Sequence, residues 1–511
     1  MKQKSNKLIY TPSITVVLAD LLLLTVAVLI VLAVTPFSSD IPFQKYFDFT
    51  FFYFACWFIS SYLLKRYTLE RSNSYMNNIF KLLWTILIVQ IILSALFLTP
   101  LNTSYSIWII VGYSLLMFSL GSISYIIQFS ISNAVEYKDI LELKKDKPED
   151  SKIVTKKLDK RSSQILIDSI IEYSGEKVFY FISRYLDFNL KNNLVSFSSN
   201  YFDIKSKPEK KFTGIAIFNK LNNIRGINKL FSIVNHKLPM EGTFVCNFEQ
   251  RSTRKKRIYD KYPRGLNYII YFFDYLTRRV IPKFLVMDKI YYNITRGKNR
   301  ILSKTEVLGR LVYCGFDIVE TKKLNGITYV IAKKIKNLDV ILESKRYGPL
   351  LTLRRLGKNG KVFNVYKFRT MYSYAEYLQA YIYRTSKLQK GGKFNKDIRV
   401  NTMGKFMRKY WIDELPMFIN VLRGEMKLVG VRPLSQHYYS LYSPELQKMR
   451  IRYKPGLLPP FYADLPETLD EIQESEFRYL QSCEKNGVFV TDMKYLVKIL
   501  NNILIKRVKS A

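Results

Sequence analysis

Residues 411–424 read Trp411-Ile412-Asp413-Glu414-Leu415-Pro416-Met417-Phe418-Ile419-Asn420-Val421-Leu422-Arg423-Gly424. Pro416 suits a first helical turn and Gly424 suits the position just after a last turn, so the pattern predicts a helix that begins at Asp413. The apolar stripe of that helix is expected to be Leu415, Phe418, Ile419 and Leu422. The sequence therefore predicts two adjacent carboxylates, Asp413 and Glu414, at a helix N-terminus.

A helix N-terminus favours anions, so at least one of these carboxylates should stay ionised at neutral pH. Neighbouring helical residues diverge by about 100°. Asp413 and Glu414 can therefore divide two roles, one attacking phosphorus and the other holding a divalent cation. The alternative is that Asp413 only caps the helix.

Cations surround this pair, with few acids to compensate them. They are Lys367, Arg369, Arg399, Arg408, Arg432, Arg450 and Arg452. Arginine binds phosphate through two parallel hydrogen bonds. The set therefore indicates a substrate that contains a pyrophosphate.

Residues 347–509 resemble the bacterial sugar transferases, enzymes that move a sugar 1-phosphate from a nucleotide diphosphate sugar to a membrane polyprenyl phosphate. The motifs that carry the resemblance are Gly348-Pro349, Arg355-Leu356-Gly357, Tyr366 to Met371, Asp397-Ile398-Arg399, Asp413-Glu414-Leu415-Pro416, Asn420 to Gly424, Leu428-Val429-Gly430 and Arg432-Pro433. Their order and spacing match throughout this part of the chain.

The resemblance implies that Asp413 is the nucleophile of a phosphosugar-enzyme intermediate and that Glu414 helps to hold Mg²⁺. It assigns the basic residues named above to substrate phosphates, and it matches Asp397 and Asp492 to acidic positions of the family. Asp492 is expected to begin the last helix. The implied partners are a UDP-sugar, polyprenyl (undecaprenyl) phosphate and the lipid bilayer, while a homo-oligomeric state stays open.

The chain departs from the family pattern at four places. Val431 replaces a proline, Leu353-Arg354 replaces a polar pair, and Leu457 to Pro460 is unusual after Pro455-Gly456. The family's hydrophobic re-entrant helix should precede Gly348, but residues 337–347 are short and polar. A catalytically idle membrane scaffold is therefore the alternative to an enzyme.

The composition points to partners with negative charge. The chain is 48% hydrophobic and 15% aromatic, its net charge is +39, and its pI is about 9.8. Nucleic acid, anionic lipid and phosphorylated substrates all fit that charge, but no nucleic-acid module is recognisable and no such partner is expected. The four cysteines have no paired spacing, and two histidines leave acid–base and metal chemistry to carboxylates.

Four apolar segments are near the length of about 20 residues that crosses a bilayer. They are residues 14–34, 47–64, 80–99 and 106–131, and Asp20 in the first is expected to be an inward-facing or interfacial polar residue without a catalytic role. They predict a four-helix transmembrane region over residues 1–135. Cations flank its N-terminus and the connection after the second span, which predicts a multi-pass protein of the bacterial cytoplasmic membrane with both termini and the catalytic domain in the cytoplasm.

The remaining chain predicts a charged linker over 136–160, an α/β domain over 161–336 and a catalytic α/β domain over 337–511. Strands are expected at 194–197, 214–218 and 243–248, followed by an antiparallel pair at 315–319 and 328–332. The last elements weakly resemble Rossmann-like methyltransferases. Because a glycine-rich loop is missing, the expected module is degenerate and non-catalytic.

Residues 251–300 interrupt the alternation of predicted helices and strands, because basic and aromatic residues are interleaved there. Such a segment can lie in the interfacial region of a bilayer, with its rings buried and its cations facing anionic lipid. It can equally be a core helix with a solvated basic face. The sequence leaves both interpretations open.

Overall fold

The computed structural model describes residues 12–34, 43–67, 75–97, 107–137, 145–146, 156–198, 202–283, 291, 293–345, 347–385 and 397–504. The chain divides into two compact units, a helical unit (residues 1–134) and an α/β unit (residues 135–511). Most of the predicted linker over 136–160 lies outside the described residues, as do the N-terminal lysines that flank the first predicted span.

The helical unit consists of α1 (Ile14–Val34), α2 (Phe43–Leu63), α3 (Tyr75–Phe97) and α4 (Ile107–Ser132). Helix α1 packs on α4, and α3 packs on both α2 and α4. Two segments, Asn77–Ala95 and Val111–Ile131, are long and apolar enough to cross a membrane, while Val16–Ile30 and Thr50–Leu63 are shorter apolar stretches. The four predicted apolar helices are therefore present, and within the described residues two of them contain a segment that is long and apolar enough to cross a membrane.

A buried polar cluster lies among these apolar helices. The Arg66 guanidinium donates to Asp20 Oδ1 at 2.7 Å and to the Tyr125 hydroxyl at 2.8 Å. It also lies over the ring of Trp57, whose Nε1 donates to Asp20 Oδ2 at 3.0 Å. Of the two predicted positions Asp20 takes the inward-facing one, where Arg66 compensates its charge.

The strands of the α/β unit are β1 (Val135–Glu136), β2 (Asn193–Ser196), β3 (Gly214–Ile217), β4 (Thr243–Phe248), β5 (Phe316–Leu324), β6 (Ile327–Lys334), β7 (Leu350–Leu356), β8 (Val362–Phe368), β9 (Lys427–Val429) and β10 (Gly456–Leu458). Five of them form a mixed sheet in the order β2-β3-β4-β6-β5. Strands β2, β3 and β4 are parallel, and β6 is antiparallel to both β4 and β5. The predicted strands and the closing antiparallel pair are confirmed.

The helices of the α/β unit are α5 (Lys160–Ser174), α6 (Glu176–Ser183), α7 (Phe202–Lys205), α8 (Ile227–Lys237), α9 (Arg251–Lys261), α10 (Leu266–Tyr275), α11 (Lys304–Tyr313), α12 (Gln379–Thr385), α13 (Thr402–Lys409), α14 (Phe418–Leu422), α15 (Gln436–Ser440), α16 (Pro444–Arg450), α17 (Phe461–Asp464), α18 (Leu469–Asn486) and α19 (Val488–Leu504). Helix α19 begins before Asp492, because Gly487, at φ 81°, ends α18 and lets the chain turn directly into the next helix. Residues 337–345 and 347 form no regular secondary structure.

Packing links the five-stranded sheet to the segment that carries the predicted site. Its core contains Phe231, Phe244 and Leu308, and Leu378 and Ile382 from beyond the predicted boundary at 336 join the same cluster. A second sheet has the order β1-β7-β8, in which β1 runs parallel to β7 and β7 and β8 form an antiparallel hairpin. Strands β9 and β10 pair in parallel.

The segment around Asp413 differs from the predicted helix. It begins as a 3₁₀ helix over Ile412–Met417 and continues as α14. The N–H of Glu414 donates to the Trp411 carbonyl three residues back, which tightens the first turn. This winding turns Pro416, Met417 and Asn420 inward, and most of the predicted apolar stripe is exposed: Leu415, Phe418 and Leu422 lie at the surface.

Candidate active site

The β7–β8 hairpin supplies one wall of the site. Leu353 lies opposite Val365, and Leu351 lies opposite Lys367. Because side chains alternate along a strand, Leu353 and Arg355 share the face that carries Val365 and Lys367. The hairpin thus aligns a lysine and an arginine on the same side.

The carboxylate pair lies against this face. Asp413 and Glu414 are both buried, each 6% exposed. Lys367 Nζ donates to Glu414 Oε1 at 2.7 Å, whereas Asp413 Oδ1 is buried without a hydrogen-bond partner among the residues that the structure describes. Trp411, at φ 63°, precedes the turn as its cap residue, so Asp413 is not the N-cap.

Burial and neighbouring charges oppose each other at Asp413. Burial raises the pKa of Asp413 above its ordinary value, and Lys367 and Arg408 act in the opposite direction. Burial likewise lowers the pKa of Lys367, while the Glu414 carboxylate raises it. A cation brought into this site with a substrate would favour the ionised form of Asp413.

Asn420 holds the carboxylate segment against β8. Its Oδ1 accepts from the Tyr366 N–H at 3.1 Å, and its Nδ2 donates to the Asn364 carbonyl at 2.8 Å. The Nδ2 group also donates to Glu425 Oε2 at 2.6 Å. Because the side chain is fully buried, these bonds fix the distance between Lys367 and the turn that bears Glu414.

A cavity of about 60 Å³ opens beside Glu414. Its lining includes Lys367, Arg355 and Arg432, together with the apolar residues Leu353, Val365, Met417, Leu457 and Pro459. Burial and the neighbouring Arg432 lower the pKa of Arg355 to about 10. Two arginines that repel each other in a partly buried wall form a site for an anion.

Arg355 was not among the predicted phosphate ligands, although it belongs to a matched motif. The alternation of β7 and β8 is the signal that identifies it, since Arg355 must share a face with Lys367 once the hairpin register is known. Asn420 was likewise assigned no role. The sequence feature that could have identified Asn420 is its polar side chain within an otherwise apolar helical segment.

Apolar side chains border the carboxylate pair on the outside. Leu415, Phe418 and Leu422 are exposed, Leu422 at 88%. On α13, Met403 and Phe406 are also exposed, and the adjoining Tyr410 contacts Phe406 with ring centroids 4.8 Å apart. The site therefore combines a cationic cavity with an apolar rim.

Two predicted basic residues lie close to the pair. Arg408 Nε donates to Thr370 Oγ1 at 3.0 Å, near enough to Asp413 for its charge to act on that carboxylate. Arg432 lines the cavity and lies over the ring of Phe461. The structure thus brings Lys367, Arg408 and Arg432 together around Asp413 and Glu414.

Arg369 and Arg399 serve other contacts. Arg369 donates to the Gly348 carbonyl at 3.2 Å and lies over the ring of Tyr347. Arg399 is buried and forms hydrogen bonds with Asp397, at 2.8 Å for the closest pair of atoms, and with Gln379. Asp397 is therefore the charge partner of Arg399, and neither lines the cavity.

Arg450, Arg452 and Asp492 lie in the packing of the C-terminal helices. Arg450 is buried in an ion pair with Glu476 and donates to the Arg432 carbonyl. Arg452 is exposed and pairs with Glu484 at 3.2 Å. Asp492 pairs with Lys427 at 2.9 Å and accepts from the Tyr479 hydroxyl at 2.5 Å. The structure does not bring these three into the cavity.

The departures from the family pattern are accommodated locally. Leu353, Leu457 and Pro459 contribute apolar wall to the cavity. Val431 is 2% exposed, and its carbonyl accepts from the Gly456 N–H at 2.9 Å. None of these residues separates the carboxylates from the cations.

The carboxylate pair fits Mg²⁺ only together with a substrate. No three His, Cys, Asp or Glu side chains within the described part of the chain are close enough to hold a metal by themselves. Mg²⁺ is, however, commonly bound by one or two carboxylates plus substrate phosphates. The orphaned Asp413 Oδ1 and the adjacent Glu414 provide that partial set.

Gly404→Ala is expected to destabilise the site. A Cβ at residue 404 of α13 would lie 2.0 Å from the Thr370 carbonyl oxygen, so the helix that carries Arg408 must move away. Overpacking of this kind costs about 1–3 kcal/mol, which thermal unfolding of the purified protein measures. The control is Gly112→Ala in α4, where no atom lies within 4 Å. Equal melting temperatures for the two variants would contradict the prediction.

Comparison with known proteins identifies similar sequences for the C-terminal part. The family model described as bacterial sugar transferase matches residues 317–506. An uncharacterized sugar transferase, EpsL of Bacillus subtilis (strain 168), is 33% identical over 151 residues, which are 30% of this chain and 67% of that protein.

Two further relatives have names that describe an activity. The galactosyl transferase CpsE of Streptococcus agalactiae serotype III (strain NEM316) is 41% identical over 114 residues, 22% of this chain and 25% of CpsE. The UDP-N-acetylgalactosamine-undecaprenyl-phosphate N-acetylgalactosaminephosphotransferase of Aeromonas hydrophila is 32% identical over 176 residues, 32% of this chain and 38% of the relative. The similarity therefore spans well under half the length of either relative.

Proposed function

Because this chain belongs to the bacterial sugar transferase family, we propose that it transfers a sugar 1-phosphate from a UDP-sugar to polyprenyl phosphate, initiating a glycan assembled on lipid. The observation that carries this proposal is the buried Asp413–Glu414 pair, in which Glu414 accepts a hydrogen bond from Lys367 and lines a cavity with Arg355 and Arg432. Cations beside carboxylates suit a substrate with two phosphates.

The first step uses Asp413 as the nucleophile. A carboxylate oxygen of Asp413 forms a bond to the sugar-linked phosphorus, and the bond from that phosphorus to the bridging oxygen breaks, releasing UMP. Asp413 suits this role because its Oδ1 is not engaged by a hydrogen-bond donor within the described residues. The product is an acyl phosphate between Asp413 and the sugar.

The second step returns Asp413 to its starting state. A phosphate oxygen of the polyprenyl phosphate attacks the same phosphorus, and the bond to the Asp413 oxygen breaks. Arg355, Arg432 and Lys367 offset the charge of the phosphates in both steps. Glu414 would hold Mg²⁺, which when bound supplies further charge neutralisation at the phosphates.

The acceptor suits the surroundings of the site. A polyprenyl phosphate joins a charged head to an apolar chain, and the carboxylate pair lies between a cationic cavity and the exposed side chains of Leu415, Phe418 and Leu422. The rim would contact the isoprenoid chain or the bilayer around it.

The location follows from the helical unit. We assign its four helices to the bacterial cytoplasmic membrane, with both termini and the α/β unit in the cytoplasm. This topology is supported by Lys65, Arg66, Arg71 and Lys81 around the second connection. The five-stranded sheet is assigned to a Rossmann-like module without catalytic activity of its own.

The test is UMP release from a panel of UDP-sugars by the detergent-purified full chain. Release beyond one UMP per enzyme should require polyprenyl phosphate, all release should require Mg²⁺, and the donor that is used identifies the sugar. No release from any UDP-sugar by folded protein would refute the proposal and support the scaffold alternative. Chelation by EDTA, followed by addition of Mg²⁺, tests the metal separately.

Arg355→Met is expected to raise the KM for the UDP-sugar by about tenfold or more, because it removes one charge-assisted contact to phosphate. The matched control is Arg354→Met, which changes the neighbouring residue on the opposite, exposed face of the same strand. Initial rates of UMP release over a range of donor concentrations measure both. An equal KM in the two variants would remove Arg355 from the donor site.

A further inference from the structure

Helix α10 exposes most of its apolar side chains, whereas its Asn267 is buried and its Asp274 is half-buried. Leu266, Tyr268, Ile269, Phe272 and Phe273 are all exposed, and Phe272 is 60% exposed. With about 100° between successive residues, these positions share one continuous face of the helix. A surface helix of a water-soluble domain packs its apolar face inward, so α10 has the reverse arrangement.

The opposite face of α10 is held by polar contacts to α9. The Asp274 carboxylate accepts two hydrogen bonds from Arg254, at 2.7 and 2.8 Å. The Tyr271 hydroxyl accepts one from Arg251 at 3.0 Å. Breaking a partly buried ion pair of this kind is strongly unfavourable, so α10 cannot turn its apolar face inward without losing these contacts.

Exposed cations lie on α9, the helix that packs against α10. They are Lys255, Lys256 and Lys261 of α9 and Arg264 in the following turn, while the exposed Arg257 is paired with Glu249 at 3.2 Å. Tyr259 of α9 contacts Tyr268 of α10 with ring centroids 5.2 Å apart, so the two helices lie side by side. Asp260 is the only acidic residue in residues 251–265.

We propose that α9 and α10 form a membrane-docking surface of the α/β unit. The apolar face of α10 inserts into the interfacial region of a bilayer, and the cations of α9 contact anionic lipid headgroups. A bilayer with anionic lipids fits both helices, since its apolar interior suits the exposed face of α10 and its negatively charged headgroups suit the cations of α9. The proposal does not depend on the reaction assigned to Asp413.

The experiment uses the full chain in vesicles of phosphatidylcholine and phosphatidylglycerol. A Phe272→Cys variant carries an environment-sensitive fluorophore, and a Tyr180→Cys variant is the control. Tyr180, on α6 of the same unit, is 63% exposed, which matches Phe272. Wild-type protein treated with the same label corrects for the native cysteines.

The fluorophore at residue 272 is expected to emit at shorter wavelength than the one at residue 180. Lipids with brominated acyl chains are expected to quench the first and leave the second unchanged. Equal responses at the two positions would overturn the proposal. A blue shift at 272 without lipid quenching, growing with the protein-to-lipid ratio, would also overturn it and show that a second copy covers α10.

A charge variant tests the role of α9. Lys255→Gln, Lys256→Gln and Lys261→Gln are combined in the Phe272→Cys protein. In vesicles with phosphatidylglycerol, quenching at residue 272 should be weaker in this variant than in the Phe272→Cys protein that keeps the three lysines. In vesicles of phosphatidylcholine alone, quenching should be equal in the two proteins. Undiminished quenching in the anionic vesicles would exclude headgroup recognition by α9.

Discussion

Asp413→Asn is expected to reduce UMP release by about four orders of magnitude or more, the size of loss seen when a catalytic nucleophile is removed. The amide keeps the shape of the carboxylate but cannot form the acyl phosphate. Burial already disfavours the charged form of Asp413, as its raised pKa indicates, so the neutral side chain should not lower the melting temperature. Steady-state UMP release and thermal unfolding check the two expectations.

The matched control is Asp470→Asn, which changes an exposed aspartate in the first turn of α18. It should leave UMP release unchanged. A burst of UMP equal to the enzyme concentration, formed before polyprenyl phosphate is added, should occur in the wild type and be absent from the Asp413 variant. Turnover of the Asp413→Asn protein within about tenfold of the wild type would exclude the nucleophile role.

Arg66→Met is expected to destabilise the helical unit by about 3–5 kcal/mol, because Asp20 is left buried without its ion-pair partner. Arg66 provides the hydrogen bonds to Asp20 and to the Tyr125 hydroxyl, and it also bonds to Ser61 Oγ at 2.9 Å. Thermal unfolding followed by tryptophan fluorescence reports this unit selectively, since Trp57, Trp84 and Trp108 lie in it and only Trp411 lies elsewhere.

Replacing both charged partners should recover much of the lost stability. In the Asp20→Leu, Arg66→Met double variant no charge is left buried, and a double-mutant cycle isolates the coupling between the two residues. Lys65→Met, at the exposed neighbouring position, serves as the control. If the Arg66→Met variant had the same melting temperature as the Lys65→Met control, the polar cluster would not hold these helices together.

Local patterns were sufficient to predict the five strands of the mixed sheet in the α/β unit. The buried segments Gly214–Ile217 and Thr243–Phe248 are strands because their apolar residues follow one another without the 3.6-residue spacing of an amphipathic helix. The antiparallel closing pair was predicted from the runs at 315–319 and 328–332, and in the structure a turn at Asn325-Gly326, both at positive φ, joins its strands. The prediction of the helix at Asp413 failed in detail, because periodicity does not distinguish a 3₁₀ turn from an α-helical one.

The residues around the carboxylates were predicted unevenly. Sequence order identified Asp413, Glu414, Lys367, Arg408 and Arg432, which the structure brings together. It also suggested Arg399, Arg450 and Arg452, whose charges the fold pairs with Asp397, Glu476 and Glu484. A motif shows that a cation is present, but only its neighbours in space decide whether an acid of the same chain already neutralises it.

The sequence by itself determined the apolar helices, the α/β order and the family to which the chain belongs, because hydropathy, side-chain alternation and matched motifs are local properties of the chain. Only the tertiary structure decided which arginines face the cavity and that Arg355 joins them. It also decided that α10 turns its apolar face outward. These features depend on contacts between residues distant in sequence, such as Asp274 with Arg254 and Asn420 with the β8 backbone, and no local pattern specifies them.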